Sequence, residues 1–215
     1  MKSFSISDAL SFGWDAMKKN FWFFVLLIII EQGFSLLTYK TDPELNAGLA
    51  AILVILSVLI SSWISLWATY SQLKIYKGEK GTIKDLFEVG SYYLDFLGTV
   101  ILYGLLVMVG FMLLIFPGFI WAIKYQYAPY LVVEKKLNPI EALKESSRIT
   151  SGVKWRLFLF NIVTSLVALA GIFVLIIGAF ASVPLAMMAQ ISVYEKLKEQ
   201  ADKPKEPKAS AAFAV

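Results

Sequence analysis

The 215-residue chain contains no cysteine and no histidine. Without cysteine it can form no disulfide, no thiol nucleophile and no thiolate metal site. Without histidine it lacks the most common acid–base group and the most common metal ligand. Charged residues make up only 17% of the chain, whereas a soluble domain usually has about a quarter. We therefore predict a protein that is not an enzyme, with no catalytic residues, no metal site and no cofactor.

The chain is instead rich in long runs of apolar residues. Apolar residues make up 58% of it and the mean hydropathy is +0.68. A helix that crosses a bilayer needs about 20 mostly apolar residues. Six segments qualify or come close: residues 21–39, 48–70, 96–116, 119–133, 157–178 and 181–194. The sequence predicts an all-α integral membrane protein with six transmembrane helices, arranged as three hairpins.

Proline and glycine predict where these helices stop or bend. Pro117 and Gly118 separate the third span from the fourth, and Pro184 separates the fifth from the sixth. An unbroken helix over residues 157–194 would be about 57 Å long, nearly twice the hydrocarbon core, so the chain must fold back there. Pro129 should kink the fourth span and free a backbone carbonyl.

Basic residues predict the orientation. They precede the first span, follow the second, separate the fourth from the fifth and follow the sixth, while Lys40 is the one basic residue on the opposite side. Basic residues near span ends remain in the cytoplasm. We therefore expect both termini to be cytoplasmic.

Three helix-start signals precede the three expected hairpins. They pair Ser5 with Asp8, Thr82 with Asp85, and Asn138 with Glu141. A capping side chain three residues before an acid is typical of a helix N-terminus. Each signal precedes a segment of mixed polarity, which predicts an amphipathic helix lying with its apolar face in the cytoplasmic membrane interface. Trp14, Trp22, Trp155 and Arg156 are the expected interfacial anchors.

These signals divide the chain into repeats. The predicted units cover about residues 5–77, 82–134 and 138–197, within a six-span membrane domain of residues 1–198. Residues 199–215 are rich in lysine, proline and alanine. That composition predicts a disordered cytoplasmic tail.

Two stretches resemble a known family. They are ALSFGWDAMKKNFWFF and LLIFPGFIWAIKYQYAPYLVVEKKLNPIEALKESSRITSGVKWRLF, followed by a final helix pair broken by glycine and proline. They resemble the prokaryotic family named for the glycerophosphoryl diester phosphodiesterase membrane domain, together with related six-span uncharacterised families. The resemblance implies a multi-span module in a prokaryotic cytoplasmic membrane. It implies no phosphodiesterase activity, since no catalytic motif belongs to the membrane part.

Two ionisable residues interrupt the apolar segments. Glu31 lies about eleven residues into the first span, and Lys124 lies about ten residues before Glu134, so both should be near mid-membrane. Charges at that depth cost about 2.5–3.5 kcal/mol each and usually face a partner or a wet cavity. We therefore hypothesise an intramembrane pair of Glu31 with Lys124. The alternative is that each side chain snorkels separately.

Other polar side chains recur inside the predicted spans. They are Ser57, Ser61, Ser65, Gln126, Asn161 and Gln190. The serines are spaced four apart and either line a polar path or, as we favour, let helices approach closely. Gln126 lies among tyrosines that form either a pocket or, more simply, an aromatic belt. The last two amides are placed to bond across the final hairpin.

The expected function follows from these features. We predict a multi-pass membrane module that acts as a scaffold, an anchor, or a protein interacting with lipids or partners. Its partners would be the bilayer, including anionic headgroups, and a membrane or cytoplasmic protein; the dense basic surface that nucleic acid requires is absent. The alternative is a small transporter or channel that uses Glu31 and Lys124. A membrane-embedded hydrolase ranks last, since it needs clustered carboxylates.

Overall fold

A computed structural model describes residues 3–39, 46–173 and 178–203. Every regular element in these ranges is helical, as the sequence predicts. The helices are α1 (Ile6–Lys19), α2 (Phe21–Tyr39), α3 (Ala47–Tyr76), α4 (Asp85–Glu88), α5 (Tyr93–Leu113), α6 (Ile115–Tyr125), α7 (Ala128–Lys135), α8 (Pro139–Ile149), α9 (Lys154–Phe173) and α10 (Ala179–Asp202). A short 3-10 helix, Val89–Tyr92, joins α4 to α5.

Three helical stretches are long and apolar enough to cross a membrane. They are Gly48–Tyr76, Asp85–Leu113 and Lys154–Gly171, and Phe21–Gly33 is a shorter apolar helix. No more than 22% of each apolar stretch is buried within the protein. Apolar surface of this extent is stable only against lipid or another protein, so the structure supports a membrane protein.

Consecutive long helices pack against each other. Phe23 of α2 meets Trp67 of α3, with ring centroids 5.8 Å apart. Helices α5 and α6 are antiparallel, since Tyr103 donates a hydrogen bond to the carbonyl of Ala122 at 3.1 Å while Phe111 contacts Phe119. Helices α9 and α10 are also antiparallel, since Ser182 bonds to Ala168 and Gln190 to Asn161. Residues 40–45 between α2 and α3, and residues 174–177 before α10, lie outside the described ranges.

The turn between α5 and α6 lies before Pro117 and Gly118, whereas the sequence predicted it at these two residues. The chain leaves helical geometry at Leu114, with φ −166° and ψ 154°, and Pro117 and Gly118 lie inside the beginning of α6. Proline is tolerated in a first helical turn, where N–H groups have no intrahelical acceptor, so Pro117 marks a helix start. Gly110 permits α5 and α6 to pack closely, because a Cβ there would lie 2.9 Å from the Cα of Gly118.

The other predicted boundaries also shift. Pro184 lies inside α10 and the helix continues through it, although an interior proline removes one backbone hydrogen bond and crowds the carbonyl four residues earlier. At its other end α10 continues to Asp202, four residues into the predicted tail. The rest of that tail, residues 204–215, lies outside the described ranges.

Two of the three predicted amphipathic helices form as separate elements. Ser5 Oγ accepts a hydrogen bond from the N–H of Asp8 at 3.2 Å to start α1, and Asn138 Oδ1 accepts one from Glu141 at 3.0 Å to start α8. The middle signal forms differently. Asp85 accepts a bond from the N–H of Thr82 at 2.9 Å, but α4 ends after four residues and the chain continues directly into α5.

Helix α1 packs on protein and does not present its apolar face to lipid as predicted. The N–H of Ser3 donates to Gln200 Oε1 at 2.7 Å, and a Cβ on Gly13 would collide with the carbonyl oxygen of Leu185. These contacts place α1 antiparallel to α10. Its small residues Ala9, Gly13 and Ala16 are buried, because they allow the two backbones to come close.

One end of the molecule gathers its charges, and we call it the charged end. It consists of α1, α4, α8 and the C-terminal parts of α3, α7 and α10. The ion pairs that connect them include Lys74–Asp85 (2.8 Å), Lys77–Glu134 (3.6 Å), Lys198–Glu134 (2.5 Å), Lys135–Glu145 (3.0 Å) and Arg148–Asp202. The main apolar core lies beneath these pairs, with Tyr127, Phe160 and Tyr194 among its largest fully buried side chains.

Candidate functional site

The site centres on a break between α6 and α7. A turn at Gln126 and Tyr127 separates the two helices, and the backbone leaves helical geometry at Tyr127, with φ −95° and ψ 1°, just before Pro129 in the first turn of α7. The break frees the carbonyl of Lys124, which accepts hydrogen bonds from Ser146 Oγ at 3.0 Å and Thr150 Oγ1 at 3.1 Å. Side chains of α8 thus replace the backbone bond that the helix lost, as buried carbonyls require.

Ser146 satisfies both sides of the break. It donates to the carbonyl of Lys124 and accepts from the N–H of Tyr127 at 3.2 Å. Ser146 and Thr150 are fully buried. Sequence reasoning missed both, although Ala142, Ser146 and Thr150 are spaced four apart along one helical face, the pattern that identifies a buried face.

The structure does not bring Glu31 and Lys124 together. Glu31 is exposed on the surface of α2, while Lys124 lies beside α8 with Nζ 4.8 Å from the ring centroid of Tyr125. No ion pair joins them, although both lie in the described ranges. Because α7 turns into the core after the break, the ten residues between Lys124 and Glu134 do not measure depth along one straight helix.

Lys124 opens onto a cavity between α5, α6 and α8. The cavity has a volume of about 290 Å³. Its lining includes Leu102, Leu106, Lys124, Ile140, Lys144 and Ser147. Neither lysine pairs with an acidic side chain in the part of the chain that the structure describes. The cavity therefore combines two uncompensated positive charges with an apolar wall.

Three amides form a chain on the other side of α6. Asn161 donates to Gln126 Oε1 at 2.8 Å, and Gln190 donates to Asn161 Oδ1 at 3.2 Å, which is the bond across α9 and α10 that the sequence led us to expect. Gln126 and Asn161 also line a groove of about 380 Å³. Within the described ranges the buried Nε2 of Gln126 has no hydrogen-bond acceptor.

The serine line of α3 lies mostly on the surface of the protein. Ser61 and Ser65 are exposed and Ser57 is half-buried, and Ser57 Oγ bonds to the carbonyl of Val54 in its own helix at 2.7 Å. Ser61 and Ser65 therefore do not pack between described helices of this chain. The serine that does join two helices is Ser62, whose hydroxyl lies 2.9 Å from that of Tyr93 in α5.

The predicted anchors are on the surface. Trp22 and Trp155 are exposed, and Trp14 is about half exposed. Arg156 is also exposed, with its guanidinium carbon 5.6 Å from the ring centroid of Phe4. Surface tryptophan and arginine suit a membrane interface, and their anchoring role stays a prediction.

Tyrosines near the break belong to the core and do not form the predicted aromatic belt. Tyr127 is fully buried, and Tyr130 stacks on Tyr194 with centroids 5.4 Å apart. The helix break causes this difference, because it turns α7 inward, against α3, α5 and α8.

The buried carboxylates Asp85, Glu134 and Glu195 of the charged end each form an ion pair, while Oε1 of Glu195 has no hydrogen-bond partner among the described residues. Burial raises the pKa of Glu134, but hydrogen bonds from Lys198 at 2.5 Å and Tyr194 at 2.6 Å outweigh it and hold the pKa below the usual value. Glu195 also pairs with Lys198, at 2.6 Å, yet burial dominates and raises its pKa. Across the described residues, no group of three or more acidic side chains could hold a metal ion.

Comparison with protein-family models, with curated proteins and with solved structures gave no match.

Proposed function

We propose that this protein is a non-catalytic membrane scaffold of a prokaryotic cytoplasmic membrane, which interacts with anionic lipid through basic residues at and beside its charged end. In this proposal the chain crosses the membrane six times as three hairpins: α2 with α3, α5 with α6 and α7, and α9 with α10. Both termini lie in the cytoplasm. The proposal agrees with the resemblance to the glycerophosphoryl diester phosphodiesterase membrane-domain family.

The ion pairs of the buried carboxylates are the observation on which the non-catalytic part of the proposal depends. An acid–base catalyst needs a carboxyl group that can reach a substrate. Asp85 bonds to Lys74 and to both the N–H and the hydroxyl of Thr82, and Glu134 bonds to Lys198. These groups hold helices together, which is the role expected of a scaffold.

The placement of positive charge and tryptophan supports the interaction with lipid. Lys124, Lys144 and Lys154 form no ion pair with a described acidic group. Each such lysine near an anionic leaflet contributes about 1 kcal/mol to binding. Trp155, next to Lys154, is exposed and suits headgroup depth.

The transporter alternative rested on a meeting of Glu31 and Lys124. With Glu31 exposed on α2 and Lys124 beside α8, that arrangement has no support from the contacts, so we propose no transport role. Solute flux into proteoliposomes that disappears in Glu31→Gln would contradict this choice.

Lipid dependence tests the scaffold proposal. The protein would be placed in nanodiscs of phosphatidylcholine, with or without phosphatidylglycerol, and its thermal unfolding followed by circular dichroism. We expect phosphatidylglycerol to raise the unfolding temperature at low salt and the gain to shrink at high salt. Equal unfolding temperatures in both lipids would overturn the lipid interaction.

Orientation can be tested separately, because the chain has no cysteine of its own. Single cysteines at Ser151, in the exposed turn before α9, and at Leu114, in the exposed turn before α6, can be labelled with a membrane-impermeant maleimide. We expect Leu114→Cys to react in intact cells and Ser151→Cys only after the membrane is opened. The reverse pattern would contradict the proposed topology.

A further inference from the structure

We propose that the cavity between α5, α6 and α8 binds the phosphate group of an anionic phospholipid, with an acyl chain lying along α5. This inference rests on the proposed function and names its site. A single water needs about 10–15 Å³, so a cavity of about 290 Å³ admits a group many times larger.

The cavity holds one cation in a defined place. The carbonyl of Lys124 is bound by Ser146 and Thr150, at 3.0 and 3.1 Å, so the end of α6 is pinned to α8. The Lys124 ammonium lies 4.8 Å from the centroid of Tyr125. A positioned ammonium loses less side-chain entropy on binding than a free one does.

Helix α8 supplies the second cation and a hydroxyl. Lys144 and Ser147 are three residues apart, which places them on one helical face, and both line the cavity. No hydrogen bond to the Ser147 hydroxyl is formed by any described residue. Two ammonium groups and a hydroxyl are suitable donors for phosphate oxygens, and basic pockets between membrane helices are known to hold lipid headgroups.

The protein leaves this positive charge uncompensated. The neighbouring acid of α8, Glu145, pairs with Arg148 at 2.6 Å and with Lys135 at 3.0 Å on another face of the helix. Neither cavity lysine is neutralised by a described acidic side chain, so both ammonium groups can interact with an anion from outside the described protein. A ligand that neutralises both lysines would be bound by charge complementarity.

The apolar wall favours a lipid over a free phosphate ion. Leu102 and Leu106 of α5 are four residues apart on one face, and Ile140 of α8 joins them in the lining. Both leucines belong to a stretch apolar enough to cross a membrane. An acyl chain would bury this wall, whereas inorganic phosphate would leave it bare.

Native mass spectrometry of the full chain in detergent, titrated with phosphatidylglycerol, tests the site. We expect Lys124→Gln and Lys144→Gln each to weaken binding about five-fold, and the double variant about thirty-fold. The control is Lys84→Gln with Lys203→Gln, which removes the same charge from two exposed positions outside the cavity lining. We expect this control to change affinity less than two-fold.

Three results would overturn the site. The first is a double variant that binds as tightly as the control. The second is loss of binding in the charge-preserving pair Lys124→Arg with Lys144→Arg, which should bind nearly as the natural protein does. The third is equal displacement of lipid by inorganic phosphate at matched concentration and ionic strength, which would assign the cavity to phosphate itself.

Failure of the site differs from failure of the proposed function. If phosphatidylglycerol still stabilises the double variant in nanodiscs as much as the natural protein, the cavity is not the site, but the lipid-interacting scaffold stands. If phosphatidylglycerol stabilises neither protein, both proposals fail.

Discussion

The structure packs α1 against α10, whereas the amphipathic pattern of α1 predicts a helix on the membrane surface. The two arrangements predict different effects of Gly13→Ala on the stability of the protein. A Cβ at this position would collide with the Leu185 carbonyl oxygen and lie 3.1 Å from the Ala189 nitrogen. Both atoms belong to the backbone of α10, so neither can move without shifting the helix. If α1 lay on the membrane surface, the same methyl would only add to its apolar face.

The magnitude follows from two opposing effects. Overpacking costs about 1–3 kcal/mol, while alanine is better than glycine inside a helix by up to about 1 kcal/mol. Gly104→Ala in α5 is the matched control, because nothing lies within 4 Å of its Cβ position and only the helical gain applies. The two variants should therefore differ in stability by about 1–3 kcal/mol, with Gly13→Ala the less stable.

Unfolding in mixed micelles with increasing SDS, followed by circular dichroism, measures this difference. A lower SDS midpoint for Gly13→Ala than for the natural protein, together with an unchanged or higher midpoint for Gly104→Ala, is the expected result. Equal midpoints for the two variants would refute the packing of α1 against α10 and restore the surface helix that the sequence predicts.

The same unfolding assay checks three further predictions. Ser146→Ala should cost about 1–3 kcal/mol, because it strands a buried N–H at the helix break, whereas exposed Ser151→Ala should stay within about 0.5 kcal/mol; similar losses would argue against the bridge. Arg148 holds the pKa of Glu145 at about 2, below its ordinary value of 4.5, so its stabilising contribution is complete above pH 4.5 and is lost as the pH falls toward 2. In Glu145→Gln the loss of stability that comes from protonating Glu145 at low pH should be absent. An unchanged pH profile of stability in this variant would contradict the role of the Glu145–Arg148 pair. Asn161→Leu should cost about 1 kcal/mol by leaving its two amide neighbours without a partner, and a neutral result would show that the amide chain adds no stability.

The helical starts show what local sequence can predict. Ser5 and Asn138 cap α1 and α8 as expected, because a cap involves a side chain and a backbone N–H only three residues away. Thr82 and Asp85 make the reverse contact, in which the N–H of Thr82 donates to the Asp85 carboxylate, and no long helix follows. Local chemistry predicts the turn, whereas the length of the helix depends on what packs beyond it.

Less of the candidate site could be predicted from the sequence. Pro129 indicated a disruption in the fourth span, and the break occurs directly before it. That Ser146 and Thr150 repair the break could not be read from their sequence, since they come from another helix. The depth expected for Lys124 failed for the same reason, because it assumed a straight helix from Glu134.

The sequence by itself determined the helical class, the apolar stretches suited to a membrane and the starts of the two amphipathic helices, because hydropathy and capping act over a few residues or one helix. Only the tertiary structure decided that α1 packs on α10, that Lys124 meets Lys144 across a cavity, and that the carboxylates of the charged end are paired. Those outcomes depend on which helices approach closely enough for small residues to touch and for charges to neutralise each other.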